Sequence, residues 1–317
     1  MTEPDPLPEL QAFLDELHQT LASDLTGDVA HYIPELATSD PHTFAISITT
    51  KNGRTFQAGD VDVPFTLQSV SKPFSYALAL QDIGCAEVLQ HVNVEPSGNP
   101  FNSIRLDEGR SVPDNPMINA GALVVSSLLL GKHQEKAFER LLDLLQDLTG
   151  KPPRINLNVL QSENSTAHRN RAIVYLMRNL NMLDQDPEKT LQLYLQQCAL
   201  EVTCADLSMM AATLASGGVH PLSGQRIFDP AVVRAVLSVM YSCGMYNSAG
   251  DWGFRVGLPA KSGVSGGLMA VAPGQMGIAI YSAKLDAHGH SHRGVLACQR
   301  IAERLGLHLF SASGVLR

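Results

Sequence analysis

The spacing of hydrophobic positions changes twice along the chain, and its first part combines a helical pattern with strand-like alternation. Residues 8–26 place leucines and a phenylalanine three and four positions apart, which predicts an amphipathic helix. Over 43–60, two alternating β-rich runs flank Asn52-Gly53, the strongest short signal for a β-hairpin. A third short strand is predicted at 65–67, so a helix and then three strands are expected here.

Helical periodicity dominates the middle of the chain, from about residue 73 to 245, between loops rich in proline, glycine and asparagine. Strand-like patterns then return, and a final helix is predicted at about 294–306. The helices predicted in the middle are 74–90, 118–130, 135–148, 168–180, 189–200, 204–216 and 230–240. The strands predicted near the C-terminus are 252–258, 267–272 and 276–282, with a turn at Pro273-Gly274.

Strands near both ends of the chain, with helices between them, favour one antiparallel sheet built from both ends. We therefore expect a mixed α/β fold of the α+β kind, with helices flanking the sheet and an inserted all-helical lobe. The whole chain, 1–317, is expected to be a single domain. The sheet lobe would cover about 1–72 and 246–317, and the helical lobe about 73–245. A cleft between two such lobes is a natural place for a small-molecule site.

Composition excludes several classes of protein. The 317 residues are 44% hydrophobic and 17% charged, which is typical of a folded globular chain, and the net charge is −8. There is no basic stripe and no stretch of roughly 20 apolar residues, so neither nucleic acid nor a membrane is expected as a partner. The five cysteines are widely spaced without a C-x-x-C, and the N-terminus lacks the pattern of a signal peptide. We therefore expect reduced thiols and a cytoplasmic location.

The first candidate for chemistry is Ser69, three positions before Lys72 at the start of a predicted helix. Residues i and i+3 share a helix face, so hydroxyl and amine can meet, and Pro73 suits the first helical turn. A serine needs an adjacent base to become a nucleophile. Lysine can be that base if burial lowers its pKa from about 10.4 to near 7, and the flanking apolar residues favour burial.

This S-x-x-K spacing is not specific by itself, because 25 serines and 8 lysines in 317 residues give about 0.6 chance matches. A second motif between predicted strands, Lys261-Ser262-Gly263, increases its weight. In penicillin-recognising serine enzymes, S-x-x-K is paired with a later K-[TS]-G on a sheet-edge strand. Glycine lets the backbone approach a ligand, and the N–H groups of Ser69 and Val264 could form an oxyanion hole.

Other polar positions are ambiguous when each is taken alone. Tyr246 lies in a Gly-rich segment and could relay a proton, although an isolated tyrosine is more often a packed aromatic. Glu163 and Asn170 lie in a polar stretch, 161–170, which alone predicts a solvated connection between helices. The histidines of HGHSH at 288–292 have alternating spacing but no accompanying carboxylate or cysteine cluster, so an exposed turn is favoured over a metal site. The sequence contains neither a P-loop nor a G-x-G-x-x-G after a strand, and we expect no metal and no other cofactor.

Nine motifs in chain order, which include the two described above, give the chain a family resemblance. They are YIPELA at 32–37, QSVSK at 68–72, PSGNPFN at 96–102, NPMINAGA at 115–122, QSE at 161–163, RN at 169–170, LEVTC at 200–204, CGMY at 243–246 and LPAKSGVSGG at 258–267. Over about residues 27–305, the chain resembles the serine-dependent glutaminases of the short bacterial type. The resemblance implies a β-lactamase-like fold and hydrolytic deamidation of L-glutamine to L-glutamate and ammonia through a glutamyl-serine ester. It also implies a homodimer or homotetramer.

The resemblance further implies roles for individual residues. Ser69 is expected to be the nucleophile and Lys72 its base, with Tyr246 sharing the acid–base work and protonating the leaving ammonia. The N–H groups of Ser69 and Val264 would form the oxyanion hole, supported by residues 261–263. The residues expected to bind glutamine are Tyr32, Gln68, Asn119, Glu163, Asn170, Tyr194 and Val264. In this set the carboxylate suits the substrate ammonium, and the amides and phenols suit its carboxylate.

Two alternatives stay open from the sequence. A β-lactamase or peptidoglycan transpeptidase could share the fold, but those enzymes work outside the cytoplasm, and their S-D-N element is missing here. A non-catalytic glutamine sensor could use the same pocket, although an intact serine, lysine and tyrosine set argues against it. Turnover of a chromogenic cephalosporin would reveal the first, and glutamine binding without ammonia production would reveal the second.

Overall fold

The structure, a computed structural model, describes residues 7–98 and 112–311, so the second half of the PSGNPFN motif lies outside the described residues. The strands in this part of the chain are β1 (Ala45–Thr50), β2 (Thr55–Gly59), β3 (Phe65–Thr66), β4 (Arg154–Ile155), β5 (Leu200–Val202), β6 (Ala260–Ser262), β7 (Gly267–Ala272) and β8 (Met276–Tyr281). Five of them form a sheet in the order β2-β1-β8-β7-β6, and three form a second, small sheet in the order β3-β5-β4.

The five-stranded sheet joins the two ends of the chain, because β1 and β8 pair antiparallel with Ile46 opposite Ile280. Alternate residues of these strands enter two different cores: Ile46 and Ile280 lie in one, and Ala45 and Ala279 lie in the other. Both faces of the sheet are therefore buried at β7 and β8, which explains why these two strands are almost continuously apolar. The predicted antiparallel sheet built from both chain ends is confirmed.

The sheet lies between helices on both faces. Helix α9 packs on β1, β7 and β8 from one side, while α1 and α12 cover the other side. The helices are α1 (Leu7–Ala22), α2 (Lys72–Ile83), α3 (Cys85–His91), α4 (Asn119–His133), α5 (Ala137–Thr149), α6 (Leu157–Thr166), α7 (His168–Asn179), α8 (Pro187–Cys198), α9 (Cys204–Ala215), α10 (Pro230–Cys243), α11 (Ala249–Arg255) and α12 (His292–Leu305). Short 3-10 turns occur at Leu36–Thr38, Gln68–Ser71, Gln134–Lys136 and Tyr246–Ser248. The division into a sheet lobe and a helical lobe stays a prediction.

The small sheet holds the chain that leads to Ser69. The short strand expected at 65–67 is present as β3, but it pairs with β5, where Phe65 lies opposite Val202. The Leu67 amide then donates to the Leu200 carbonyl (2.8 Å), which extends this pairing to the start of the following turn. The start of the turn that carries Ser69 is therefore held in place by the pairing of the predicted strand β3 with β5, which the sequence did not predict.

The strand predicted at 252–258 is wrong, because α11 occupies Ala249–Arg255. Trp252 and Val256 are both buried, and a spacing of four residues places them on one helix face. Large residues at every second position give this short stretch the appearance of a strand. The Trp252 Nε1–H donates to the Leu258 carbonyl (2.7 Å) just after the helix ends.

The state of the cysteines, membrane-spanning helices and metal sites can also be compared with the sequence analysis. All five cysteines are free thiols, and four of them are buried, as predicted. No helix within 7–98 and 112–311 is long and apolar enough to cross a membrane. In the same described ranges, no three His, Cys, Asp or Glu side chains are arranged to hold a metal ion.

Candidate active site

Ser69 lies where the backbone bends from β3 into α2. The bend, Gln68–Ser71, begins with Gln68 at φ +49, a left-handed conformation that residues other than glycine rarely adopt. The Ser71 hydroxyl donates to the Gln68 carbonyl (2.7 Å) and stabilises the bend, and Pro73 lies in the first turn of α2. Ser69 is 8% exposed and lines a cavity, so the bend presents its hydroxyl to a ligand site.

Lys72 is fully buried, as its apolar neighbours predicted. Its Nζ donates to the side-chain oxygen of Asn119 (2.7 Å) and to the Met117 carbonyl (3.1 Å). Burial lowers the pKa of Lys72 to about 7, and no carboxylate among the described residues pairs with it. In the described contacts its amine binds Asn119 rather than Ser69, so the direct serine–lysine contact expected from helical spacing is not formed here.

The Tyr246 hydroxyl is the group that contacts the Ser69 hydroxyl. Tyr246 begins the turn after α10 at φ +54, a second non-glycine residue in the left-handed region. Such a conformation costs free energy and persists only where surrounding contacts hold it. Burial raises the pKa of the Tyr246 phenol well above its ordinary value of 10, so at neutral pH it keeps its proton.

A second buried lysine lies on the other side of the phenol. Lys261, on β6, donates from Nζ to the Tyr246 hydroxyl (2.7 Å) and to the Ser262 carbonyl (2.7 Å). Its Nζ also lies 4.0 Å from the centre of the Tyr246 ring. Burial, together with the charge of Lys72, holds the pKa of Lys261 well below its ordinary value. The positive charge of Lys72 therefore disfavours protonation of Lys261.

The edge strand β6 brings a turn against the Ser69 bend. A Cβ placed on Gly263 would lie 2.9 Å from the Leu67 carbonyl oxygen, so only glycine allows the two segments to approach this closely. The next residue, Val264, lines the same cavity as Ser69. Its N–H makes no hydrogen bond within the described residues. The predicted pair of backbone donors, from Ser69 and Val264, is therefore placed beside one cavity.

That cavity has a volume of about 150 Å³ and collects all the predicted substrate residues. Its lining consists of Tyr32, Ile33, Gln68, Ser69, Asn119, Glu163, Thr166, Ala167, Arg169, Asn170, Tyr194, Leu195, Cys198 and Val264. Lys72, Tyr246 and residues 261–263 pack around it without lining it. Arg169 and Cys198 were not predicted, although Arg169 stands in the RN motif beside Asn170. Cys198 has no sequence signal, because a lone cysteine is usually a buried apolar residue.

Glu163 is a buried carboxylate in the wall of this cavity, and one of its two oxygens has no hydrogen-bond partner among the described residues. It lies on α6, in the stretch expected as a solvated connection; that expectation is wrong, because the Asn156 side chain accepts from the Val159 amide (3.0 Å) and caps a helix there. Glu163 is 7% exposed, and its Oε2 has no hydrogen bond to any described residue. Burial raises its pKa to about 7, and contact with Gln68 opposes the rise. A buried carboxylate with one free oxygen and no cationic partner among the described residues indicates a place for a cationic group of a ligand.

A chain of polar side chains connects Lys72 to the far wall of the cavity. The Asn119 side-chain oxygen accepts from Lys72 and from the Tyr194 hydroxyl (3.2 Å). The Asn119 amide nitrogen donates to the side-chain oxygen of Asn170 (2.9 Å). Asn119 and Tyr194 are both buried, so these contacts fix their orientation. A ligand group that binds Asn119 or Tyr194 would therefore also affect the amine of Lys72.

The three histidines of 288–292 have different surroundings, although the rings of His288 and His290 lie 6.4 Å apart. His288 is exposed, as expected for a turn, and His292 pairs with Asp24 (3.2 Å). His290 contradicts the exposed-turn prediction, because it is 2% exposed and its Nδ1 lies 2.6 Å from Ser262 Oγ. The side chain of Ser262 thus points to His290, behind the site.

Solved structures match the whole fold. Mglu in its native form matches with a TM-score of 0.91 and 41% identity, over 98% of this chain and 75% of Mglu. Mglu in its glutamate form matches with a TM-score of 0.90 and 41% identity, over 96% of this chain and 70% of that one. The fold is β-lactamase-like, as predicted, and the protein is a hydrolase built on it.

Sequence comparison gives the family. The chain belongs to the glutaminase family, whose sequence model matches residues 27–310. The glutaminase of Trichormus variabilis is 49% identical over 301 residues, which are 95% of this chain and 90% of the relative. The glutaminase of Clostridium tetani is 44% identical over 287 residues, which are 90% of this chain and 94% of the relative. The predicted family and enzyme class are confirmed.

Proposed function

We propose that this glutaminase hydrolyses the side-chain amide of L-glutamine to L-glutamate and ammonia, through a glutamyl ester on Ser69. One observation carries the proposal: a single cavity is lined by Ser69, which has a phenol and a buried amine nearby, and by the buried carboxylate of Glu163, whose Oε2 has no hydrogen-bond partner among the described residues. A substrate with an amide at one end and an ammonium at the other can place its amide at Ser69 and its ammonium at Glu163. The relative named Mglu has a structure in its glutamate form, which supports glutamate as the product.

Ammonia release from the purified protein tests this function, with glutamine, asparagine and a penicillin compared at equal concentration. Ammonia from glutamine is the expected result, with less from asparagine, whose amide is one methylene closer to its ammonium. Penicillin hydrolysis without ammonia release would instead support a β-lactamase-like acyltransferase. Glutamine binding without turnover would support a sensor.

Burial assigns different roles to the two titratable neighbours of Ser69. It lowers the pKa of Lys72 to about 7 and raises that of the Tyr246 phenol. At neutral pH the amine can therefore accept a proton, whereas the phenol can only donate one. We assign Lys72 as the base for Ser69 and Tyr246 as the acid for the leaving nitrogen. Catalytic hydrogen bonds often form only with substrate bound, so the Lys72–Asn119 contact in the free protein is compatible with this role.

The reaction then proceeds in two steps, formation of the ester and its hydrolysis. Lys72 takes the hydroxyl proton while Ser69 Oγ attacks the amide carbon, and the N–H groups of Ser69 and Val264 bind the resulting oxyanion. Tyr246 gives its proton to the amide nitrogen, and the carbon–nitrogen bond breaks. Ammonia leaves, and the glutamyl ester remains on Ser69. Protonated Lys72 returns its proton to the phenolate, and Lys261 stabilises that phenolate meanwhile. A water then attacks the ester with Lys72 as base, which releases glutamate and restores Ser69.

Glu163→Gln is expected to raise the KM for glutamine by roughly 30-fold or more, because loss of a buried charge partner costs about 2–5 kcal/mol. Steady-state ammonia assays measure the change. The exposed Glu188, which pairs with Arg171 on the surface, gives a matched control, Glu188→Gln, with wild-type KM.

Stability distinguishes this loss of binding from misfolding. The unfolded Glu163 carboxyl has a pKa of 4.5 and the folded one about 7, so ionisation costs the folded state stability as pH rises through that window. Glu163→Gln removes that cost, and its Tm at pH 8 should equal or exceed that of the wild type. An unchanged KM would contradict a role for Glu163 in binding the ammonium.

Location and assembly also belong to the proposal. The five free cysteines support a reducing compartment such as the cytoplasm. The expected homodimer or homotetramer is checked by light scattering of the purified protein, and a monomer at micromolar concentration would contradict it.

A further inference from the structure

His290 is buried directly behind the Tyr246 turn. It lies between β8 and α12, with Nδ1 at 2.6 Å from Ser262 Oγ. Its ring is stacked on the Tyr246 ring, with 6.2 Å between the ring centres and 11° between the ring planes. One imidazole therefore contacts both the edge strand β6 and the turn that carries the phenol.

The His290 ring is neutral at neutral pH, because burial lowers its pKa to about 4. Positive charge on Lys261 and His288 acts in the same direction, while the Asp286 carboxylate opposes it. A neutral imidazole has one donor and one acceptor nitrogen. Nδ1 accepts from the Ser262 hydroxyl when Nε2 carries the hydrogen, and the nearby Met245 carbonyl favours that tautomer.

A second cavity lies behind His290 and shares no lining residue with the substrate cavity. Its volume is about 180 Å³, and exposed Asn247, Arg255 and His288 line it together with His290, so small molecules can enter from solvent. The buried Nε2 of His290 has no well-formed hydrogen bond to a described residue. Truncation of His290 would therefore open the space behind Tyr246 into this second cavity.

We propose that His290 is a positioning residue that holds Lys261 and Tyr246 in their places for the reaction; this inference rests on the proposed function. Ser262 is the link, because His290 holds its hydroxyl while its carbonyl accepts from Lys261 Nζ (2.7 Å). The same amine donates to the Tyr246 hydroxyl (2.7 Å). His290 also supports the Tyr246 ring by stacking. A phenol in a left-handed backbone conformation needs such support from its surroundings.

His290→Ala is expected to lower kcat about 10- to 100-fold, the effect of a few kcal/mol in buried hydrogen bonding. The KM for glutamine should change less than about threefold, because the substrate cavity is untouched. Added imidazole should restore kcat by occupying the vacated space through the second cavity. The rescue should grow as pH rises through about 7, since the neutral form of imidazole is the one that fits.

Three variants make the result specific to the imidazole. His290→Asn keeps an acceptor for the Ser262 hydroxyl and should retain more activity than His290→Leu, which keeps only apolar bulk. His288→Ala removes the exposed histidine whose ring lies 6.4 Å from that of His290 but which does not contact Ser262, so it should lose much less kcat than His290→Ala. A His290→Ala enzyme with wild-type kcat, or a loss of kcat that imidazole does not reverse, would overturn the inference. Failure of the proposed function would instead appear as turnover by Ser69→Ala, so the two failures are distinguishable.

Discussion

Ser69→Ala is expected to abolish ammonia release from glutamine, with kcat falling at least about 10⁴-fold. The serine oxygen forms the ester, and no other side chain in the cavity can readily replace it. The Cys198 thiol lines the same cavity, but burial raises its pKa far above neutrality, so it does not supply a thiolate. The variant should still fold and bind glutamine, because the Ser69 hydroxyl is not among the contacts that shape the bend.

Ser71 provides the matched control two residues away. Its hydroxyl donates to the Gln68 carbonyl, and loss of one neutral hydrogen bond costs about 1 kcal/mol, so Ser71→Ala should lose less than about tenfold in kcat. The ester itself is tested with hydroxylamine, which competes with water for it and releases glutamyl hydroxamate. Ser69→Ala should form no hydroxamate. Retained turnover in Ser69→Ala would remove the nucleophilic serine from the mechanism.

The larger part of the fold was predictable from the sequence because its signals are local. Asn52-Gly53 and Pro273-Gly274 mark turns beside strands of five or six residues, and such strands are long enough to show a pattern. The strands β4 and β5 have two and three residues, too few for any period. They exist because tertiary pairing places Val202 opposite Phe65.

The residues that line the cavity include all those predicted to bind substrate, but the burial of several of them was not predictable. Glu163 stands in a polar stretch that by itself predicts a solvated loop, and only the family motifs marked it as a ligand. Its burial comes from residues brought over by the fold, such as Gln68 and Tyr194. His290 shows the same limit: its partner Ser262 is 28 positions away on another strand, so local spacing predicted an exposed turn.

The division of acid and base roles also depends on three-dimensional surroundings. The sequence left open how Lys72 and Tyr246 share the proton transfers, because their ordinary pKa values are nearly equal. Burial without a carboxylate partner moves the two pKa values in opposite directions. The proposed assignment of Lys72 as base and Tyr246 as acid therefore depends on the folded arrangement.

Lys72→Met is expected to lower kcat at least about 10³-fold, since general-base catalysis by a positioned group contributes about 10²–10⁴-fold and the lysine acts in both steps. Thermal unfolding at pH 7 to 9 checks the fold. The unfolded amine has a pKa of 10.5 and the folded one about 7, so folding must expel a proton between these values, and stability falls as pH falls through that window. Removal of the amine should therefore leave Tm equal to or above that of the wild type.

Lys72→Arg separates the basic role from a purely electrostatic one. Arginine keeps a positive charge but does not lose its proton near neutral pH. If Lys72 acts as a base, Lys72→Arg should be as inactive as Lys72→Met, with glutamine binding retained in at least one of the two. An arginine variant with substantial kcat would assign Lys72 the role of a cation.

The pH dependence of the wild type tests the same assignment by a different route. Lys72 must be neutral to act as a base, and Glu163 must be ionised to bind ammonium, and both have pKa values of about 7 in the free protein. The value of kcat/KM reports the ionisation of the free enzyme. It should therefore fall steeply below pH 7, because both Lys72 and Glu163 become protonated there. Bound ammonium keeps Glu163 ionised, so kcat should show a one-proton limb that belongs to Lys72. In Glu163→Gln, the fall of kcat/KM at low pH should depend on one proton instead of two. A wild-type kcat that does not fall near pH 7 would contradict Lys72 as the base.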